Sequence, residues 1–240
     1  MGTDALGRDL YSRIIFGTRI SVSSSLLLVT VVFVVGTALG IISGYCGGVV
    51  DTIIMRIADT MLAFPDLILA IAIAGILGPN LSNAIIAIAV VSWTKYARIS
   101  RSLAMKIRSC DYIAAAKVTG SRSGHMLFSY FLPNALPTMV ITAATDIGTT
   151  MLSLASLSFL GFGIRPPTPE WGYMLSEGRK YFQSRPWLVY FPGLAIFVVV
   201  VVFNLMGDSL RDILDPKIEQ KVGGMREGDL GSAVSELKNK

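Results

Sequence analysis

Three uncharged runs dominate the chain: residues 20–50, 67–93 and 186–207 contain no Asp, Glu, Lys or Arg. Each is long enough for at least one membrane span of about 20 residues. The alternation of apolar and polar stretches predicts five membrane helices, near residues 22–44, 59–77, 82–93 (extending toward Ala97), 134–160 and 187–206. In the first, Gly36, Gly40 and Gly44 recur at every fourth position, which puts a small-residue surface on one helix face and predicts a closely packed neighbour. The second is interrupted at Phe64-Pro65-Asp66, and Gly78-Pro79-Asn80 has the chemistry of a short turn into the third. Trp187, Tyr190 and Phe191 cluster at the start of the fifth, as expected at a membrane interface. Between the fourth and fifth, the run Pro166-Pro167-Thr168-Pro169 forbids ordinary helix.

Charge orients these elements. Between the third and fourth lie Lys95, Arg98, Arg101, Lys106, Arg108, Lys117 and Arg122 against a single acid, Asp111, and such a stretch belongs on the cytoplasmic side. Alternation then places 46–58 and everything after 207 inside, with 78–80 and 161–185 outside. Residues 1–20 become an extracytoplasmic amphipathic segment ahead of a membrane domain over 21–216. That segment carries Arg8, Arg13 and Arg19 and no signal peptide, which makes it a poor candidate for unaided translocation. A further membrane helix is therefore expected ahead of residue 1 in the complete protein. Residues 217–240 mix both charge signs with Gly and Ser and are expected to form a flexible cytoplasmic tail.

Composition agrees with the pattern. Of 240 residues 52% are hydrophobic and 15% charged, with a mean hydropathy of +0.62, too apolar for an ordinary soluble domain. The expected class is all-α, a polytopic membrane helical bundle surrounded by lipid. The net charge of +5 sits in and near loops, so it argues for orientation and against nucleic-acid binding. Cys46 and Cys110 lack metal-ligand spacing, and His125 is the only histidine, which leaves no basis for a metal cage.

Few residues carry candidate chemistry. Asp146 falls inside the fourth span, where a carboxylate costs about 2.5–3.5 kcal/mol to insert, so it faces protein or water. Two readings stay open: a translocation pathway that attracts a cationic group, or a hydrogen-bonded Asp at a helix interface. Asp66, after Pro65, reads first as the cap of a restarted half-helix and second as a pathway residue. Arg165, Pro167, Glu170 and Trp171 sit in a stiff external loop suited to receive a binding protein, or to seal the outer mouth. Asp208, Arg211, Asp212 and Asp215 allow helical ion pairs at the inner edge.

The cytoplasmic stretch is more specific. Alanines at 114–116 favour helix with almost no bulk, and Gly120 can take the left-handed conformation that ends one helix and starts another. A helix, a turn and a second helix make a peg that fits a partner's groove. No GxxxxGK[ST] phosphate loop occurs, so energy has to come from another protein.

Residues 111–133, DYIAAAKVTGSRSGHMLFSYFLP, resemble the EAA motif of ABC importer permeases. Ala115, Ala116, Gly120, Leu132 and Pro133 match, whereas the motif's Glu is Ala114 and its Ile is Tyr130. The stretches GTDALGRDLYSRIIFGTRIS (2–21), MRIADTMLAFPDLILA (55–70), SFLGFGIRPPTPEWGYML (158–175) and FNLMGDSLRDILDPK (203–217) extend the likeness, and together they resemble the C-type permease of the dipeptide, oligopeptide and nickel branch. The resemblance implies the type I (MetI-like) ABC importer permease fold in a bacterial cytoplasmic membrane. It implies a coupling loop over about 95–133, with Asp111, Tyr112, Ala115, Ala116, Lys117, Gly120, Leu132 and Pro133 toward the ATPase. It also implies a homologous second permease, two ATP-binding subunits and an external substrate-binding protein as partners, with ATP and Mg held by the ATPases and no cofactor on this chain. Short peptides are the first choice of cargo and nickel or a nickel chelate the second. A membrane aspartyl protease would need a second carboxylate beside Asp146, and a channel has no need of a peg.

Overall fold

The computed structural model describes residues 1–164 and 166–214; the expected tail 217–240, Arg165 and Asp215 lie outside that range. The elements in chain order are α1 (Leu10–Cys46), α2 (Gly48–Leu62), α3 (Asp66–Leu77), α4 (Leu81–Arg108), α5 (Asp111–Val118), α6 (Ser123–Met126), a π-helical turn (Leu127–Phe131), α7 (Leu132–Phe159), α8 (Trp171–Arg179) and α9 (Trp187–Leu214). Strand pairing among the described residues is limited to one bridge between Thr3 and Asp9.

Helix α1 is longer than its apolar run. Asp9 caps it by accepting the Ser12 amide at 2.8 Å, so the helix starts at Leu10 and runs for 37 residues, about 55 Å. The expected segment over 1–20 therefore contracts to residues 1–9, the rest being helix. At the other end Gly47, with φ of +67°, turns the chain into α2.

The glycine stripe decides how α1 packs. A Cβ on Gly36 would meet Tyr96 and the Trp93 carbonyl, one on Gly40 would overlap Ser100 and the Ala97 carbonyl, and one on Gly44 would press on Ala104 and the Arg101 carbonyl. Both sets of residues rise together, so α1 and α4 run parallel in backbone contact, as small-residue stripes allow. Ser100, fully buried, donates to the Tyr96 carbonyl at 2.8 Å and reaches the Gly36 carbonyl at 3.3 Å across the crossing.

The expected second span is two helices. At Pro65, which cannot donate a backbone hydrogen bond, α2 and α3 meet at 92°. The twelve residues of α3 cover about 18 Å, well short of a hydrocarbon core of about 30 Å. Asp59 accordingly belongs to α2, and the second span as expected over 59–77 is a bent pair. Asn83 ties the α3–α4 turn by donating its amide to the Leu77 and Gly78 carbonyls at 2.7 and 3.0 Å.

Helix α4 absorbs half of the supposed cytoplasmic loop, because Lys95, Arg98, Arg101 and Arg108 all lie within it. Likewise the helix containing α6, the π turn and α7 is continuous over Ser123–Phe159, so the fourth span starts well before residue 134. Pro133 is tolerated there because the π turn precedes it and Asn134 donates its side-chain amide to the Tyr130 carbonyl at 2.6 Å. Three helices, α1, Ser123–Phe159 and α9, are long and apolar enough to cross a membrane, and the bent α2–α3 pair makes up to four. The third expected span, which lies in α4, has the length at 28 residues but a charged second half.

Helices α7 and α9 pack antiparallel, with Gly148 against Val200 and Asn204, and Gly207 against Thr145. Helix α8 doubles back on α9, bringing Gly178 against Leu188.

Candidate functional site

The stretch after α4 folds as a helix, a turn and a helix. Helix α5 ends in a two-bond cap: the Ser121 amide donates to the Ala116 carbonyl at 3.0 Å and the Gly120 amide to the Lys117 carbonyl at 3.1 Å, with Gly120 at φ +81°. This is the Schellman arrangement, for which glycine is the preferred residue. The alanines divide between two faces. Ala116 is buried together with Ile113 against the bundle, whereas Asp111, Tyr112, Ala115, Lys117 and Gly120 are exposed. Ala116 is thus a packing residue, not part of an open surface. Leu132 is half-buried and Pro133 exposed, both within the continuous helix and apart from the turn. Two apolar residues without a sequence signature are also at this surface: Val118, 89% exposed at the tip of α5, and Phe128, 73% exposed on the π turn. Apolar side chains at helix ends leave no periodic signal, so nothing in the pattern marked them.

A second arrangement lies deeper. A cavity of about 280 Å³ opens between α1, α3, α4 and α7, and its polar lining includes Asp66, Ser92, Lys95, Asp146, Thr149 and Ser153. The structure brings the two acids singled out in the sequence to one site. Asp146 is buried and accepts from Lys95 Nζ at 2.7 Å. Asp66 sits in the first turn of α3 and makes no side-chain capping bond, so its expected role as a cap is not seen. Lys95, a loop cation on the charge pattern alone, is the partner of Asp146. Its signal was present: Lys95, Arg98 and Arg101 recur every third residue, the mark of one helix face. Arg98 pairs with Asp59 and Arg101 with Asp51, so this face of α4 carries a ladder of ion pairs from cavity to helix end.

The end of the bundle away from the α5 turn is closed by the chain's own residues. Trp171 is 2% exposed, donates its indole N–H to the Ile14 carbonyl at 3.0 Å, and leans on Gly17, whose absent Cβ makes room. Glu170 is 4% exposed and caps α8 by accepting the Gly172 and Tyr173 amides, both at 2.8 Å. Neither is available to a partner at the surface, which corrects the expectation of binding-protein contacts there; Pro167 is exposed and Arg165 lies outside the described residues. Around the N-terminus Asp4 binds Arg8 at 2.6 Å and Arg13 at 2.5 Å, and Arg13 reaches Glu177 at 3.1 Å. Burial alone would raise the Asp4 carboxyl, but the Arg8 amide and guanidinium, the Leu6 amide and the Arg13 guanidinium outweigh it and hold the group below the usual carboxylate value.

Residues 36–220 match the family described as binding-protein-dependent transport system inner membrane component. The chain belongs to this family. The permease is 50% identical over 220 residues to the dipeptide transport system permease protein DppC of Haemophilus influenzae, covering 92% of this chain and 75% of that protein. To the nickel transport system permease protein NikC of Escherichia coli strain K12 it is 40% identical over 218 residues, covering 91% and 79%. Its fold superposes on a chain of the MetNI methionine ABC transporter in an inward-facing conformation with a TM-score of 0.68 at 18% identity, covering 86% of this chain and 98% of that one. The permease therefore has the type I ABC importer fold. By that family it is an inner-membrane component of a binding-protein-dependent transport system.

Proposed function

We propose that this permease passes short peptides across the membrane by alternating access, paired with a homologous second permease and driven by two ATPase subunits that carry the ATP and Mg. The observation that carries the coupling role is the α5–Gly120–α6 peg, with Tyr112, Ala115, Lys117 and Val118 exposed around a rigid glycine turn. A closing ATPase dimer that grips this peg moves α4 and the Ser123–Phe159 helix, the two elements it joins. Those helices also flank the cavity at Asp66 and Asp146, the proposed path for cargo. An external binding protein delivers the cargo at the outer face, where Pro167 rather than Glu170 or Trp171 is exposed.

Peptide is favoured over nickel by the higher identity to the dipeptide relative, 50% against 40%. Titrating the cognate binding protein with dipeptides and with Ni²⁺ decides between them. Saturable dipeptide binding supports the proposal, and binding of Ni²⁺ alone transfers the same machinery to metal import. For the peg, Gly120→Val forces a β-branched residue into the left-handed region. Uptake is lost while the protein remains in the membrane; unchanged uptake removes the peg from the mechanism.

A further inference from the structure

We infer that Lys95 and Asp146 form a charge-exchange station for zwitterionic cargo, Asp146 receiving the substrate's ammonium group while Lys95 follows its carboxylate. The inference rests on the pathway proposed above and adds to it which chemical features of the cargo this chain reads.

The pair is not built as a structural one. A buried ion pair that serves only the fold is enclosed, and its remaining polar atoms are satisfied. Here the Lys95 side chain is 55% exposed although it lies beside the apolar half of α4, and it faces the cavity. Lys95 engages Oδ1 of Asp146, which leaves Oδ2 able to accept from a second donor. Tyr96, 2% exposed, also lines this cavity, with its hydroxyl buried close to the Asp146 carboxylate. Ser92, Thr149 and Ser153 add hydroxyls around the pair, while Leu28, Val29 and Val32 form an apolar wall. At about 280 Å³ the space is near the lower end of small-molecule sites, which run from about 300 Å³.

Charge balance explains why both signs are present. A lone carboxylate in the membrane would hold a cationic group and resist releasing it. With Lys95 in place, the incoming ammonium replaces the lysine ammonium on Asp146, and the freed lysine pairs with the incoming carboxylate. Two ion pairs replace one pair and a zwitterion, so no step leaves a buried charge alone. On exit Lys95 returns to Asp146 and resets the site. No bond is made or broken and no proton moves.

The test uses the complete importer, with both permeases, the ATPases and the binding protein, in proteoliposomes, with labelled alanyl-alanine as probe. The decisive variant is the double change Lys95→Met, Asp146→Asn, which removes both charges at once and so leaves no unpaired ion. We expect it to assemble and to keep binding-protein-stimulated ATP hydrolysis within twofold of wild type, while uptake falls at least about tenfold, as for loss of a buried charged contact. Uptake within twofold of wild type overturns the proposal and makes the pair structural. Failure to assemble, or loss of ATP hydrolysis, also overturns it, because the pair then serves folding. The pathway itself is read separately from Ser153→Cys and a membrane-impermeant thiol reagent in the otherwise unchanged importer: no labelling in any nucleotide state rejects the pathway, whereas labelling with undiminished uptake in the double variant rejects the charge exchange alone.

Discussion

Gly40 lies so close to Ser100 that a Cβ on the glycine would overlap the serine hydroxyl and the Ala97 carbonyl behind it. Backbone blocks the space as well as the serine side chain, so the helices have to separate to admit even a methyl group. Gly40→Ala is expected to cost about 1–3 kcal/mol, the range for overpacking a close contact. Thermal unfolding of the purified importer in detergent reads this against Gly124→Ala, where nothing lies within 4 Å and little change is expected. Equal melting of the two variants contradicts the α1–α4 contact.

Trp171 anchors the start of α1 by a different means, filling the space left by Gly17 and holding the Ile14 carbonyl. Trp171→Ala removes both the ring and the hydrogen bond and is expected to cost about 3–5 kcal/mol. Because the residue is buried within one chain, binding-protein affinity should change only as far as α8 moves. Trp171→Phe keeps most of the ring and should recover most of the stability. A Phe variant as unstable as Ala would point to the indole hydrogen bond instead.

The ion-pair cluster at the N-terminus makes the packing of residues 1–9 sensitive to pH. Asp4 has its carboxyl held below the ordinary value of 3.8 in the folded protein, so its contribution to stability is complete above that value and is lost as pH falls through the lowered one. Limited proteolysis of residues 1–9 should show protection that is flat from neutral pH to about pH 5 and decays under stronger acid. Asp4→Asn, which cannot hold Arg8 and Arg13 as ion pairs, should abolish that acid transition and expose the segment at neutral pH. Protection that improves on acidification would contradict the assignment.

How far the sequence reveals this molecule depends on whether a feature is local. Gly120 as a left-handed helix terminator and the stripe of Gly36, Gly40 and Gly44 are local chemistry, and both are found as read. The start of α1 was missed because the cap at Asp9 precedes a half-charged stretch that hydropathy treats as loop. The continuity of Ser123–Phe159 was missed because proline normally ends a helix, whereas here a π turn and Asn134 accommodate Pro133. Asp146 was legible as a costly charge, but its partner Lys95 was hidden among cations assigned to a loop, since the pairing is a tertiary fact. Glu170 and Trp171 show the converse: polar and aromatic residues in a loop suggest a surface, and only packing shows that they are inside.

In the proposed mechanism the turn after α5 is gripped by an ATPase subunit on the cytoplasmic side. Cysteine crosslinking in membrane vesicles tests it most directly, comparing Val118→Cys at the exposed tip with Ile113→Cys, which is fully buried against the bundle. A nucleotide-sensitive crosslink from Val118→Cys to the ATPase, and none from Ile113→Cys, is the expected result. Absence of any crosslink from Val118→Cys, or its labelling from the periplasmic side, contradicts it.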